Sequence, residues 1–267
     1  MEKVFHNIEM PLLRVLAEME RVGVLVNPEK LKVLENKIDG EIEGLAKKIY
    51  QVAGEEFNLN SPQQLGKILF EKLGVNPQKA KKTGGGAIST REESLVEFRE
   101  EHPIIDLVLA YRENFKIQTT YVKPLQDLIA SDGRVHTEFV QTGTGTGRLS
   151  SKSPNLQNVP QESRWAKELR SVFEAPKGFS LLSFDYSQIE LRVFAALTGD
   201  KAMLEAFRRG ADIHTLTASK VLGIPIQQVG HNERRLAKTL NFGLLYGMGV
   251  TAFARSSGLG REKAKSF

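Results

Sequence analysis

The sequence predicts an α+β chain: a helical first half, a short-stranded middle and a helical end. Three observations carry this. Apolar residues recur at three- and four-residue spacing over long stretches before residue 121 and again after residue 187. Strand and turn signals gather between Ser131 and Phe184. Cap signals bracket the periodic stretches, with Asn, Ser or Asp before them and Gly after.

Each element follows from these signals. Asn27-Pro28 reads as an N-cap with proline at the first helical position, and Leu31, Leu34, Ile38, Ile42, Leu45 and Ile49 carry the helix to Gly54. Ser61-Pro62-Gln63-Gln64 opens a second helix with a capping-box pattern, which Gly74 ends. Lys79 to Thr90 reads as a basic, glycine-rich loop, and Thr90 to Glu93 as another capping box. A long apolar-periodic stretch runs from Ile104 to about Tyr121, before Pro124. Ser131-Asp132-Gly133 is a turn and Val135–Val140 a strand. Gln141 to Pro160 is polar and rich in glycine and threonine, but it holds neither a Walker Gly-Lys-Ser/Thr nor a GxGxxG pattern. Short helical patterns follow Gly199-Asp200 and Asp212, the latter carrying His214. Another begins near Arg234, and helix formers fill Arg261 to Phe267.

Composition bounds the function. The chain has 267 residues, enough for a sizeable core and more than one domain. Its formal charge is +5 with a pI near 9.3, which permits polyanion binding without establishing it. The absence of cysteine excludes disulfides and thiolate metal sites. The start, MEKVFHNIEM, has no apolar core region, so no secretory signal is expected there. No apolar run approaches membrane-spanning length, and a cytoplasmic protein is the expectation.

Two stretches carry chemistry. In LLSFDYSQIELR, Leu181–Arg192, an apolar run reads as a strand that delivers Asp185 to its end. Ser187 and Glu190 then read as a capping box opening a helix. A carboxylate at the end of a buried strand is open to a cation or a substrate. In RRLAKTLNFGLLYG, Arg234–Gly247, four side chains stand four residues apart: Arg234, Lys238, Phe242 and Tyr246. Each step turns about 40° beyond a full turn, so the set forms a drifting stripe of two cations and then two rings. Spaced cations suit a triphosphate and flat rings suit a base. The same spacing also describes an amphipathic helix with its rings in the core and its cations in water. Asp185 as a strand-end cap, Glu190 as a capping partner and His214 as a structural residue stand as the bland readings beside it.

Taken together, these stretches resemble the family A DNA polymerases, the bacterial DNA polymerase I group. DYSQIELR at Asp185–Arg192 resembles motif A, and RRLAKTLNFGLLYG resembles the finger helix. TGRLSSKSPNLQNVP at Thr146–Pro160 is similar to the primer-template contact segment. DIHT at Asp212–Thr215 and FNLNSPQQL at Phe57–Leu65 are also family-like. The resemblance implies the right-hand polymerase fold, with a helical thumb, an antiparallel-sheet palm and helical fingers. Residues 1–26 would be a palm-edge segment, 27–114 the thumb, 115–208 the first part of the palm and 209–267 part of the fingers. It implies template-directed transfer of a nucleotide from a deoxynucleoside triphosphate to a primer 3′-hydroxyl, with two Mg²⁺ ions. Asp185 and Lys238 would be catalytic, with Asp185 and the Tyr186 carbonyl binding metal. Gln188, Glu190, His214, Arg234, Lys238, Phe242 and Tyr246 would contact the nucleotide, Glu190 by excluding a ribose 2′-hydroxyl. Lys81, Lys82, Arg148, Asn155, Gln157, Asn158 and Gly247 would contact DNA. The expected partners are primer-template DNA and deoxynucleotides, with no membrane, and the expected state is a monomer.

Two features depart from the family pattern. The His-Asp-Glu motif C, source of the second metal-binding aspartate, is absent, so the chain by itself is expected to be a C-terminally incomplete, inactive part of a longer enzyme. Gln161 and Glu162 stand where the family commonly has an arginine nearby. No nuclease activity is expected. A single-subunit RNA polymerase shares the basic finger helix but lacks the acidic sugar gate at Glu190, and a non-catalytic DNA-binding module is the reading from another class.

Overall fold

The structure is a computed structural model that describes residues 2–76, 88–161, 163–257 and 260–266. It divides into two compact units, Met1–Leu182 and Ser183–Phe267.

In the first unit, helix α1 (Met10–Val22) follows a short helical lead-in and ends at Gly23. Strand β1 (Val24–Val26) leads into the longest helix, α2 (Pro28–Ala53). The Asn27 side chain accepts from the Lys30 amide at 3.0 Å, and Gly54 ends α2 in the left-handed region, as the local signals predict. Helix α3 (Pro62–Gly66) starts at Ser61, whose Oγ accepts from the Gln64 amide. The reciprocal half of the expected capping box is different: Gln64 Oε1 accepts from the Asn58 amide, because the Ser61 amide already bonds the Asn58 carbonyl. The helix then widens into a π-helical turn, Lys67–Lys72, before Gly74.

Two further expectations here are corrected. Helix α4 (Glu92–Leu95) is preceded by Arg91 rather than capped by Thr90. Thr90 is buried and its carbonyl accepts from Arg112, while Ser89 Oγ takes the Arg91 amide at 3.3 Å. The helical backbone does not end near Tyr121: helix α5 (Ile104–Ile117) continues through a π-helical segment, Gln118–Val122, into α6 (Lys123–Asp127), which includes Pro124.

The expected Val135–Val140 strand is two strands in two sheets. Strand β2 (Arg134–Val135) pairs antiparallel with β1. Strand β3 (Glu138–Val140) pairs antiparallel with β4 (Ser150–Lys152). Between them Thr137 is buried, and its hydroxyl donates to the carbonyls of Lys152 and Pro154. Helix α7 (Ala166–Ser171) and strand β5 (Phe173–Glu174) follow, β5 pairing antiparallel with the other edge of β1. Among the described residues of the unit the apolar core falls into two clusters. One gathers Ile49, Leu65, Leu69, Leu95, Phe98 and Ile105; the other gathers Leu31, Ile38, Val122, Val135, Trp165 and Leu169. Trp165 Nε1 donates to the buried Asn114 side chain at 2.6 Å, so its polar edge is satisfied inside.

The strand expected at Leu181–Phe184 does not form. The backbone there is irregular, and Leu181, Leu182 and Phe184 are 63%, 77% and 90% exposed. A strand needs a neighbour for its amides and carbonyls, and none of the described residues pairs with this run.

The second unit is helical. Helices α8 (Ile189–Thr198), α9 (Lys201–Arg208), α10 (Ile213–Leu222) and α11 (His231–Leu245) are followed by α12 (Val250–Ser257) and α13 (Arg261–Ser266). Asp200 and Asp212 cap α9 and α10, accepting from the Met203 and Thr215 amides at 2.8 and 3.1 Å. Glu233 reaches back to the Gly230 amide and starts α11 earlier than the Arg234 pattern shows. Leu191, Ala206 and Ile213 form one core with Phe242 and Leu245 against them; Leu240, Phe253 and Ala264 form another.

Candidate active site

The second unit brings together residues from three of its elements. Helix α8 does not open with the expected Ser187–Glu190 capping box. Gln188 takes the N-cap position at φ 54°, ψ 34°, with no side-chain cap bond. A non-glycine residue in the left-handed region is uncommon and strained. One local and one long-range bond hold the entry in that shape. Arg192 Nε donates to the Ser187 carbonyl at 2.8 Å, and Gln188 Nε2 donates to Asp212 Oδ1 at 2.8 Å. Glu190, released from capping, accepts from the Tyr246 hydroxyl at 2.7 Å on Oε2.

Along α11 the stripe resolves one residue at a time. Arg234 and Lys238 face solvent. Phe242 is half-buried against the Leu191–Ile213 core, with its ring centroid 5.6 Å from that of His214. Phe242 thus follows the amphipathic reading in part. Tyr246 does not: it is 62% exposed at the helix end, and Gly247 follows at φ 74°, where glycine relieves the turn.

The electrostatics centre on Asp212 and His214. Arg234 grips Asp212 from the side, Nε to Oδ2 at 2.7 Å and Nη2 to Oδ1 at 3.1 Å. The Thr215 hydroxyl donates to Oδ2 at 2.5 Å. Partial burial pushes the Asp212 carboxyl up, but the bonds from Arg234, Thr215 and Gln188 outweigh it and hold the group well below the usual carboxylate range. His214 is buried, and burial pushes its imidazole pKa down. Asp212 opposes this, while Arg234 and Lys238 add to it. The ring's tautomer follows from its neighbours. Thr217 Oγ1 donates to Asn241 Oδ1 at 3.1 Å, which leaves Asn241 Nδ2 to donate to His214 Nδ1 at 3.0 Å. An accepting Nδ1 places the neutral ring's proton on Nε2.

Asp185 and Tyr186 are exposed, and Asp185 makes no hydrogen bond or ion pair among the described residues. Among those residues no three His, Asp or Glu side chains cluster to hold a metal. One carboxylate and a backbone carbonyl are hard oxygen donors. They fit a share of a magnesium coordination sphere, whose other places water and phosphate oxygens commonly fill.

The predicted DNA contacts of the first unit lie on one polar stretch. Arg148 is exposed, and its carbonyl accepts from Thr144 Oγ1 at 2.8 Å. Asn155 Oδ1 accepts from Ser151 Oγ at 3.1 Å, and Gln157 Nε2 donates to the Leu149 carbonyl at 3.1 Å. The Asn158 carbonyl accepts from the Tyr121 hydroxyl at 2.6 Å, leaving its side chain exposed. Lys81, Lys82 and Glu162 lie outside the described residues. Sequence reasoning took Asp212 for a cap alone and passed over Asn241 and Thr217. The spacing of Asn241 from His214, 27 residues, carries no local signal.

Residues 28–267 match DNA polymerase family A. The chain belongs to that family. It is 45% identical over its whole length to DNA polymerase I of Lactococcus lactis, covering 30% of that protein. It is 44% identical over 265 residues to the thermostable DNA polymerase I of Thermus aquaticus, covering 99% of this chain and 32% of the relative. The chain thus spans about a third of the length of the curated relatives it matches. A solved structure, the POL domain of Pol1 from M. smegmatis in complex with DNA primer-template and dNTP, superposes with a TM-score of 0.90. Its sequence identity is 37%, over 98% of this chain and 46% of that one. The family A resemblance and the polymerase-domain fold expected from sequence are therefore borne out, with helices and small antiparallel sheets as the content.

Proposed function

We propose that this chain is part of a DNA-directed DNA polymerase that transfers a nucleotide from a deoxynucleoside triphosphate to a primer 3′-hydroxyl. The observation that carries the reading is the α11 face: exposed Arg234 and Lys238 one turn apart, with the half-buried Phe242 ring against His214. Arg234 and Lys238 hold the triphosphate, and neutral His214 adds an N–H donor. Phe242 gives the sugar and base a flat apolar wall. The Tyr246 hydroxyl holds Glu190, which stands where a ribose 2′-hydroxyl would meet it. Asp185 and the Tyr186 carbonyl would hold part of a Mg²⁺ coordination sphere, and the ion would supply charge neutralisation at the phosphates. Gln188 contacts the nucleotide; Arg148, Asn155, Gln157, Asn158 and Gly247 contact the duplex, and Lys81 and Lys82 grip its backbone. The thumb, palm and finger assignments given above belong to the same reading, as do a monomeric state, a cytoplasmic location and repair or replication as the setting. No helix among the described residues is long and apolar enough to cross a membrane.

Catalysis here is positioning and charge neutralisation, to which the acid at Asp185 and the cations of α11 each contribute a part. Primer extension by this chain with Mg²⁺ and deoxynucleotides, beside an Asp185→Ala control, tests it. Extension that vanishes with Asp185→Ala supports direct catalysis. Primer-template and nucleotide binding without extension supports a site whose second carboxylate lies outside these 267 residues. Neither extension nor binding overturns the proposal.

A further inference from the structure

Arg234 and Lys238 are not equivalent. Lys238 makes no ion pair among the described residues, whereas the Nε–Nη2 edge of Arg234 is already filled by Asp212. We propose that Asp212 is an internal counter-anion of the phosphate site, competing with polyphosphate for Arg234 and weakening its retention. The inference rests on the reading of Arg234 as a phosphate ligand.

The geometry supports competition rather than simple support. A side-on, two-bond contact is the strongest arrangement a guanidinium makes with a carboxylate, and it uses the donors a phosphate would take in the same way. Asp212 cannot follow an arginine that leaves. It is pinned as the cap of α10 by the Thr215 amide and hydroxyl, and by Gln188 at the strained entry to α8. When Arg234 turns to a phosphate, three of the five bonds to Asp212 stay in place, and the carboxylate remains satisfied. The counter-anion is thus preformed and stays ready to take Arg234 back when the phosphate leaves. Arg234 and Lys238 are one turn apart, about 6 Å along the helix. A polyphosphate that spans both and takes the Nε–Nη2 edge of Arg234 displaces Asp212 from it. Orthophosphate can sit at Lys238 alone.

The test is calorimetric titration of this chain with inorganic tripolyphosphate and with orthophosphate at low salt, in four forms: parent, Asp212→Asn, Arg234→Ala and the double variant. Asparagine caps helices as well as aspartate does, so α10 should persist, and a thermal melt checks that it does. Asp212→Asn is expected to tighten tripolyphosphate about tenfold and orthophosphate less, the size expected for removing one partly screened charge beside an anion. In the Arg234→Ala background the same change should give at most about a twofold effect, because the contested contact is gone. Unchanged or weaker tripolyphosphate binding in Asp212→Asn overturns the proposal. So does an equal tightening with and without Arg234, which would be a through-space charge effect. If Arg234→Ala itself leaves tripolyphosphate affinity intact, the phosphate assignment of Arg234 fails, and that failure is visible separately from the first.

Discussion

Asn241→Leu tests the arrangement that sets the state of His214. The substitution keeps the number and branching of side-chain heavy atoms and removes both hydrogen bonds, from Thr217 Oγ1 at 3.1 Å and to His214 Nδ1 at 3.0 Å. His214 is buried, so its Nδ1 lone pair would have no replacement partner from solvent without local opening. Leaving one buried acceptor unsatisfied costs about 1–3 kcal/mol. Thr217 is only half-buried and can turn its hydroxyl to water, so its loss adds little. For a unit the size of Ser183–Phe267, each kcal/mol moves the melting temperature by roughly 4–8 °C. The expected drop in the transition that unfolds the second unit is therefore on the order of 5–20 °C. Differential scanning calorimetry at pH 7.5 reads it. Thr217→Val should cost less, and its effect should nearly vanish in the Asn241→Leu background, because the two share one chain of bonds. A melting temperature within about 1 °C of the parent for Asn241→Leu would refute the reasoning, since the Nδ1 acceptor would then have found another donor.

Other outcomes follow from the same geometry. Because the His214 pKa is depressed in the folded state, the unfolded chain binds the proton first as pH falls below about 6.5. Stability from this group is complete above that pH and is lost as pH drops through the folded pKa. His214→Gln should flatten the slope of melting temperature against pH between about 7 and 5, and an unchanged slope would show that other groups set it. Lys238→Ala should weaken deoxynucleotide binding by about tenfold while leaving primer-template affinity within about twofold, and equal losses in titrations of both would mean the triphosphate lies elsewhere. In an active polymerase carrying this segment, Glu190→Ala should raise ribonucleotide incorporation relative to deoxynucleotide, read as the ratio of kcat/KM values; an unaltered ratio would sink the sugar-gate assignment.

What the sequence by itself determined was the local grammar of the helices and the family. Asn27, Ser61, Asp200 and Asp212 cap where they stand because a cap bonds an amide only two or three residues away, and that spacing is written in the chain. Gly54 ends its helix for a similarly local reason, a left-handed φ that a side chain resists. Motif-length stretches around Asp185 and Arg234 identified the polymerase family because their chemistry is concentrated in contiguous residues. Tertiary structure decided what depends on partners far along the chain. Val135–Val140 reads as one strand in sequence, but its two ends pair with different strands, so it divides at buried Thr137. Leu181–Phe184 has the composition of a strand and no strand beside it, and without a partner for its backbone it stays irregular. Glu190 had a nearby capping role to fill and instead meets Tyr246, 56 residues on; Asp212 meets Arg234 22 residues on, and His214 meets Asn241 27 residues on. No local spacing encodes those pairs. They exist because α8, α10 and α11 pack around Leu191, Ile213 and Phe242, and that apolar packing brings the charges together.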